Sequence, residues 1–505
     1  MSLTGASAFD PSVMDRPPSA EWPARLLTAV LVAAAGFLLA VLTAVYPLAG
    51  IGAVAAIGLL VVSIRMPEVL LVIFTVSLWV PVQLAPLPMN AADGLLVFWC
   101  ACMPFILIYR RPAHWHVPTL VKAVLPFVVA VMLSEVFATN PFGNVKQFLR
   151  IVEWFVVWPL MLSLIEPTPR LFRLGAVMML LIPCAFAIDG VVEYFNNGNS
   201  ISHMLHIPVP RPEDTSTATI HHTFDVSGRA GSTFGGAQGL ALYLALCISV
   251  AFGHLIRTPS AGLRLLACFT ILLSFAGLAV AESRGGILAA VAVVLVMAML
   301  EIGKLAKALL LGGLLAAGLG LFALALWPGW DGSIVSLVPG GRPDAVIDRL
   351  SLWQMALQVW QDHPVIGVGL GNYRDHAIAR GIDLIVPLGY EGFHAHNTFM
   401  EILADTGVLG LGAFLYFLAT VLHRLLRAWG RLRGDRRCHA STFVLAAIGT
   451  LASYCAFASV DMLLLENTNM QVVLLFSFGL IFAEAELRAR AAGGTLPGPA
   501  DGVPA

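Results

Sequence analysis

Two histidines and an asparagine stand at the start of a strongly apolar run in the stretch GFHAHNTFMEILADTGVLGLGAF, residues 392–414. The histidines are His394 and His396, and the asparagine is Asn397. Histidine is the side chain whose ordinary pKa allows it to accept a proton near pH 7. A histidine at this position could therefore take a proton from an attacking hydroxyl group.

The same stretch also has a structural interpretation. Thr398, with Glu401 three residues later, fits a capping box at the start of a helix, and Asn397 could serve the same turn. The sequence DTG at 405–407 predicts a break before a spanning helix. A structural role for the histidines is thus an open alternative, whereas a metal site is disfavoured because the two histidines lack a nearby third ligand.

Three arginines could bind an anionic group. Arg229 is followed by small residues in SGRAGSTFGGAQ, Arg284 lies in the tight turn ESRGG, and Arg150 lies in FLRIVEWF. An unpaired charge at membrane depth costs about 3 kcal/mol or more, so arginines there need an explanation. The open alternatives are a snorkelling Arg284, an ordinary loop-to-helix transition at Arg229, and an ion pair between Arg150 and Glu153.

Arginines and a histidine together suit a reaction on a lipid-linked diphosphate. Arginine binds phosphate oxygens bidentately and could stabilise the diphosphate as a leaving group. The histidine would take the proton of the attacking hydroxyl group. The outer loops contain no Asp-rich motif of the kind that metal-dependent glycosyltransferases use.

The composition indicates a polytopic membrane protein. Of the 505 residues, 58% are hydrophobic and 12% are charged, whereas about 25% of the residues of a soluble domain are charged. A spanning helix needs about 20 apolar residues, and fourteen windows of this kind can be placed. They lie near 26–45, 48–64, 68–86, 93–108, 119–138, 148–165, 174–192, 236–254, 262–281, 285–300, 308–326, 407–423, 441–463 and 470–487.

The short loops on one side collect Lys and Arg, including six arginines between 424 and 437, and this bias marks the cytoplasm. Both termini are then cytoplasmic, and two long loops face the periplasm. The predicted parts are a cytoplasmic tail (1–25), an N-terminal transmembrane bundle (26–192), a periplasmic loop (193–235), a transmembrane core (236–326), a large periplasmic catalytic loop (327–406), C-terminal transmembrane helices (407–487) and a disordered cytoplasmic tail (488–505).

The large loop contains a predicted amphipathic helix within 346–373. Its apolar residues recur at helical spacing and include tryptophans typical of a membrane surface, which predicts a helix lying on the outer face. They are Ile347, Leu350, Trp353, Leu357 and Trp360. The GVGLGN that follows is explained by turns at its glycines, since no strand precedes it as a dinucleotide site would require. The seven cysteines show no disulfide or zinc pattern, and we expect no cofactor.

Four stretches, in this order, resemble the bacterial O-antigen ligase/polymerase family. They are GRAGSTF entering a span, ESRGGILAA between two spans, DHPVIGVGLGNY in the large loop, and HAHNTFMEILADTGVLGLGAFL closing that loop, all within about 228–423. One departure is that Phe234 leads into GGAQ, where members often have an Asn-Pro-Asn-like element. That difference puts a role for an asparagine there in doubt and could mark a different substrate subclass.

The resemblance implies a metal-independent membrane glycosyltransferase with a GT-C-like architecture. It implies action outside the bacterial inner membrane on glycans linked to undecaprenyl diphosphate. The family's essential histidine corresponds to His396, and its diphosphate-binding arginines correspond to Arg229 and Arg284, with Arg150 as a third candidate. His394, Asn397 and Glu401 would support the site.

The expected function is transfer of a glycan from undecaprenyl diphosphate to an acceptor hydroxyl group. Polymerisation, in exopolysaccharide or O-antigen synthesis, is slightly favoured over ligation to lipid A core in lipopolysaccharide synthesis. The expected partners are the lipid-linked donor, a glycan or core acceptor and the bilayer, with no nucleic acid. A transporter or flippase for lipid-linked sugars is the alternative from another class. Such a transporter should carry charges in mid-span, whereas the acids noted here, Asp189, Glu193 and Asp461, lie near predicted outer ends.

Overall fold

In the computed structural model the chain divides into two compact units, Met1–Leu70 and Leu71–Ala505. Apart from residue 58, the structure describes only residues of the second unit. These are 117–136, 138, 145–163, 169–199, 201–204, 230–232, 237–301, 344–382, 394–435, 438–461 and 469–491. The predicted spans before residue 117 and at 308–326, the predicted N-terminal tail and Arg229 lie outside the described residues.

The regular elements among the described residues are all helices, as predicted. In chain order they are α1 (Thr119–Val136), α2 (Val145–Val152), α3 (Trp158–Leu162), α4 (Pro169–Phe195), α5 (Ile201–Met204), α6 (Ala237–Arg257), α7 (Ala261–Ala281), α8 (Arg284–Glu301), α9 (Asp344–Asp362), α10 (Tyr373–Ala379), α11 (Thr398–Leu432), α12 (His439–Ala458) and α13 (Asn469–Ala491). A π-helical turn, Glu153–Val157, joins α2 to α3, so the window predicted as a span at 148–165 contains a helix with an irregular middle. Helix α13 continues to Ala491, which makes the start of the predicted C-terminal tail helical.

Seven of the described helices are long and apolar enough to cross a membrane. They are α1, the part of α4 from Arg173 to Phe195, α6, α7, α8, α11 and α12. Each falls on a predicted window, and the chain is accordingly an integral membrane protein. The total of fourteen spans and the GT-C-like arrangement remain predictions.

Several helix ends meet at one end of the bundle. Ser283, just before α8, donates from its Oγ to Gln238 of α6 at 2.7 Å. Thr398, the first residue of α11, donates its backbone N–H to the carbonyl oxygen of Asp461, just past α12, at 3.1 Å. Helices α6, α8 and α11 begin at this end of the bundle, and α7 and α12 terminate there. We call it the loop end. The membrane helices therefore alternate in direction through the bundle.

Helix α6 is enclosed by its neighbours, and α8 packs closely against it. A Cβ atom added at Gly286 would lie 2.7 Å from the Cβ of Ala241 and 2.8 Å from a methyl group of Leu278. Small residues allow helix backbones to approach each other inside a membrane. The beginning of α8, which carries Arg284, is thereby fixed against α6.

Helix α11 is bent near its start, where the sequence predicted a break. Gly407 has φ +65° and ψ −167°, a conformation outside the helical region and favoured by glycine. The bend separates a first segment, Thr398 to Thr406, from the longer apolar segment that follows. The first segment carries Glu401 and directly follows His396 and Asn397, and its residues are mostly buried.

Helices α9 and α10 pack on this first segment of α11. Their shared core includes Leu352, Val359, Tyr373 and Ala404 and also takes in Ala395. Burial raises the pKa of the Tyr373 hydroxyl above its usual range, so the hydroxyl group stays protonated, and it donates to the carbonyl oxygen of Leu352 at 2.9 Å. The two helices thus form a platform directly beside residues 394–397.

Candidate active site

Asn397 joins the start of α11 to the end of α12. Its extended backbone lets the side-chain Oδ1 accept from the N–H groups of Phe399 at 3.0 Å and Met400 at 3.1 Å. These are two of the N–H groups that the first turn of a helix leaves unsatisfied. The Nδ2 group donates to the carbonyl oxygen of Ser459 at 3.0 Å. One side chain therefore caps one helix and ties it to the next.

His396 is paired with the carboxylate of Asp461. The ring Nδ1 lies 3.0 Å from Asp461 Oδ1, and the side chain of His396 is 36% exposed. An ionised carboxylate only accepts hydrogen bonds, so Nδ1 carries the proton in this contact. In the neutral ring the other nitrogen, Nε2, then has the lone pair that can accept a proton. This arrangement gives His396 the orientation that a general base needs.

The position of Asp461 is itself fixed by α11. Its carbonyl oxygen accepts from the backbone N–H of Thr398 at 3.1 Å and from the Thr398 hydroxyl at 2.8 Å. The two residues that form the pair are thus held at the junction of two helices. His396 also has φ +46°, a left-handed conformation that costs on the order of 1 kcal/mol in a residue with a Cβ. Such conformations cluster at functional sites.

Glu401 bonds to residues that precede α11. The capping box with Thr398 is wrong, because Asn397 is the N-cap and the Thr398 hydroxyl bonds to Asp461. The buried Glu401 carboxylate instead reaches back beyond the helix start. It accepts from the Ala395 N–H at 2.8 Å and lies 2.9 Å from His394 Nδ1. Glu401 therefore supports the backbone that presents His396, and His394 has a structural bond.

A glycine-rich loop, 367–373, is bound to this region by two acidic residues. The buried Asp405 carboxylate accepts from the N–H groups of Gly371 at 2.7 Å and Tyr373 at 2.9 Å. Glu135, at the end of α1, accepts from the Leu370 N–H at 2.7 Å. The predicted turns are confirmed, since the three glycines have positive φ. The sequence indicated Asp405 only as part of a helix break and did not indicate a role for Glu135, although each is an acid within an apolar run.

Arg284 begins α8 beside the same junction. A Cβ at its neighbour Gly285 would be only 3.3 Å from the side chains of Phe457 and Val460. Val460 directly precedes Asp461. The start of α8 therefore lies against the segment that carries Asp461, the partner of His396. Arg284 is half-buried and makes interactions of its own. The structure thus brings the Arg284 segment and His396 to neighbouring positions.

The segment that follows Arg229 is also bound at the loop end. The fully buried Glu193, in α4, accepts from the backbone N–H of Gly231 at 3.0 Å and of Ser232 at 2.6 Å. Asp189, one turn earlier, accepts from the Ser232 hydroxyl at 2.6 Å. The two acids that the sequence placed near outer ends therefore orient the chain next to Arg229. Arg150 is half-buried in the last turn of α2.

The residues described here show no group of three or more His, Cys, Asp or Glu side chains that could hold a metal ion. The acids of the loop end are bound to backbone N–H groups, hydroxyl groups and histidines. These hydrogen bonds hold the loops in position.

Comparison with known proteins supports the family resemblance. Residues 269–415 match the profile of the family described as O-antigen ligase. The predicted family resemblance is confirmed. The match begins in α7, includes Arg284 and His396, and ends in α11. Asp461 lies outside the matched residues.

One curated relative is the exopolysaccharide production protein ExoQ of Rhizobium meliloti (strain 1021), which is 30% identical over 134 residues. That alignment covers 26% of the present chain and 30% of the relative. The chain thus matches about a third of that protein's length. The family domain and this relative support an O-antigen ligase/polymerase type of function.

Proposed function

We propose that the protein is a glycosyltransferase that moves a glycan from undecaprenyl diphosphate to an acceptor hydroxyl group at the periplasmic face of the bacterial inner membrane. The observation that carries the proposal is the hydrogen bond between His396 Nδ1 and Asp461 Oδ1. His396 lies within the residues that match the O-antigen ligase family, and the pair is next to the helix start that carries Arg284.

In the proposed reaction His396 Nε2 takes the proton of the acceptor hydroxyl group. The acceptor oxygen forms a bond to the anomeric carbon of the donor glycan as the bond from that carbon to the diphosphate oxygen breaks. Undecaprenyl diphosphate leaves with the bonding electron pair. Asp461 stabilises the imidazolium that forms, as a buried carboxylate does in a catalytic triad.

Arg284 and Arg229, with Arg150 as a third candidate, are proposed to bind the diphosphate. A guanidinium group can donate two parallel hydrogen bonds to phosphate oxygens and stabilise the charge that develops on the leaving group. Because arginines can supply this stabilisation, we propose a metal-independent reaction. A helix N-terminus such as that of α8 also favours negative charge.

The acceptor distinguishes two versions of the proposal. The name of the Rhizobium meliloti relative, an exopolysaccharide production protein, favours a polymerase that joins lipid-linked repeat units. The description of the family favours a ligase that transfers the glycan to lipid A core.

A transfer assay with purified protein in nanodiscs tests the proposal. The donor is an undecaprenyl-diphosphate glycan in the presence of EDTA, with and without lipid A core. Longer lipid-linked chains without core would identify a polymerase, and product that requires core would identify a ligase. Absence of transfer both with EDTA and with added Mg²⁺ would contradict the proposed reaction and favour a transporter.

A further inference from the structure

Helix α9 has two separate apolar stripes. One stripe is Leu352, Ala356 and Val359, which are buried against α10 and α11. The other contains Leu350 and Leu357, which are 55% and 36% exposed, with the partly exposed Trp353 and Trp360 at helical spacing between and after them. At about 100° per residue, the centres of the two stripes are roughly 110° apart around the helix. Of the predicted membrane-facing residues, Leu350, Trp353, Leu357 and Trp360 are therefore on a side of α9 that is exposed or partly exposed.

A third side of α9 is polar. It carries the exposed residues Gln354, Gln358, Gln361 and Asp362. The three sides suit three different surroundings, which are protein, water and an apolar medium. This pattern is typical of a helix that lies in the plane of a membrane surface.

The exposed stripe continues into a membrane-crossing helix. Beyond the end of α9, the carbonyl oxygens of Pro364 and Val365 accept from the N–H groups of Val408 and Leu409 in α11, at 3.0 and 3.2 Å. Val365 is 53% exposed, and Val408 and Leu409 are each 47% exposed. Val408 and Leu409 begin the long apolar segment of a candidate span. The residues just beyond α9 are therefore hydrogen-bonded to α11 at the point where its long apolar segment begins.

We propose that α9 lies along the bilayer surface at the loop end, with Leu350, Trp353, Leu357 and Trp360 among the lipid acyl chains. The bilayer is favoured as the partner because the stripe is continuous with the apolar side of a spanning helix. Trp360 suits such a position, because its indole N–H already donates to the carbonyl oxygen of Pro364 at 3.1 Å, so the ring needs no water at that atom. The helix is about 28 Å long, enough to make this contact a broad one.

This contact has a consequence for the candidate active site. The opposite side of α9 belongs to the core that contains Ala395, between His394 and His396. The helix therefore sets the height of His396 relative to the lipid surface. If the proposed function holds, that is the level at which the diphosphate of a lipid-linked donor lies, but the membrane contact itself does not depend on the chemistry.

Photo-crosslinking tests the contact directly. A photoreactive amino acid is introduced at Leu357 in one variant and at its neighbour Gln358, on the polar side, in a matched control, and both full-length proteins are illuminated in phospholipid nanodiscs. We expect phospholipid adducts at position 357 at several times the yield at 358. Equal yields at the two positions would overturn the proposal, as would protein–protein dimers at 357 in place of lipid adducts, because they would show that a second copy covers the stripe.

A measurement with a conservative variant guards against altered folding of the crosslinking proteins. Trp360→Phe and the wild-type protein are compared in nanodiscs made with brominated lipids, which quench tryptophans near acyl chains. The difference in tryptophan emission between the wild type and Trp360→Phe is the contribution of Trp360. We expect brominated lipids to quench that contribution. If the lost emission is not quenchable, Trp360 is not at the membrane and the proposal fails. Neither measurement uses transfer activity, so either result is independent of the proposed function.

Discussion

At the scale of residues, the loop end is organised by acids that bind the backbone. Glu193 holds two N–H groups next to Arg229, Asp405 and Glu135 hold the glycine-rich loop, and Glu401 holds Ala395. Glu193, Asp405 and Glu401 are buried and Glu135 is half-buried. A buried carboxylate is costly unless it is hydrogen-bonded, and the backbone N–H groups supply these bonds. Hydrogen bonds to charged groups are also the stronger kind.

Glu193→Gln should loosen the segment that follows Arg229. Both N–H groups bond to the same carboxylate oxygen, so the amide oxygen can still accept from both, but each bond weakens because the acceptor loses its charge. A bond to a charged group is worth about 1.5–3 kcal/mol. We expect faster hydrogen exchange at Gly231 and Ser232 and, if Arg229 binds the donor, a raised KM for the lipid-linked glycan.

The matched control is Glu282→Gln, which alters an acid at the same end of the bundle. Within the described part of the chain, its carboxylate accepts one long bond, 3.5 Å, from Tyr194. Unchanged exchange at Gly231 and Ser232 in Glu193→Gln, or an equal change in both variants, would refute the positioning role of Glu193.

At the scale of elements, the bend in α11 and the loop at 367–373 depend on each other. A Cβ at Gly367 would lie 2.3 Å from the carbonyl carbon of Asp405, and a Cβ at Gly407 would lie 2.3 Å from the carbonyl carbon of Val365. Two backbones thus touch at two glycines with positive φ. Side chains at either place would push the loop away from the helix start that carries the candidate base.

Gly367→Ala should therefore destabilise the protein and disturb the site. The φ of +70° alone costs a residue with a Cβ about 1–3 kcal/mol, and the contact with the Asp405 backbone adds to it. We expect a lower unfolding temperature in detergent. Gly412→Ala, in the same helix, is the control, because no atom lies within 4 Å of a Cβ there and alanine favours a helix. Equal unfolding temperatures for the two variants would contradict this view of the loop.

The elements were largely predictable from the sequence, because apolar windows of spanning length and positive charges in short loops are strong signals. The break at Gly407 was also predictable, because a glycine that follows two polar residues indicates a break in an apolar run. The pairing of His396 with Asp461 was not, since they are 65 residues apart and the whole of α11 and α12 lies between them. The helix start was misjudged by one residue at Thr398, because Asn397 and Thr398 are both good caps and the distant Asp461 decided between them.

At the scale of the whole molecule, the alternating helices place Arg284, Ser232, His396 and Asp461 at one end of the bundle. Topology predicted from charge assigns that end to the periplasm. Labelling of one cysteine introduced at each end of the bundle tests the assignment. His363→Cys lies in an exposed loop at the loop end, and Gly434→Cys lies in the exposed turn at the opposite end.

A membrane-impermeant maleimide, applied to cells with a permeabilised outer membrane, should label His363→Cys and leave Gly434→Cys unlabelled until the inner membrane is opened. The parent protein, treated in parallel, gives the contribution of the native cysteines. The reverse pattern of labelling would place the candidate active site in the cytoplasm and contradict the periplasmic reaction.

The measurement that tests the central claim most directly is a double-mutant cycle of His396→Ala and Asp461→Asn in the transfer assay, with His363→Ala as a control histidine. A general base is worth about 10²–10⁴ in rate, and residues that act as a unit give non-additive losses. We expect His396→Ala to lose activity by that factor, and the double variant to be no slower than His396→Ala. Wild-type turnover in His396→Ala, or losses that simply add, would contradict a histidine–carboxylate pair that acts together in the reaction.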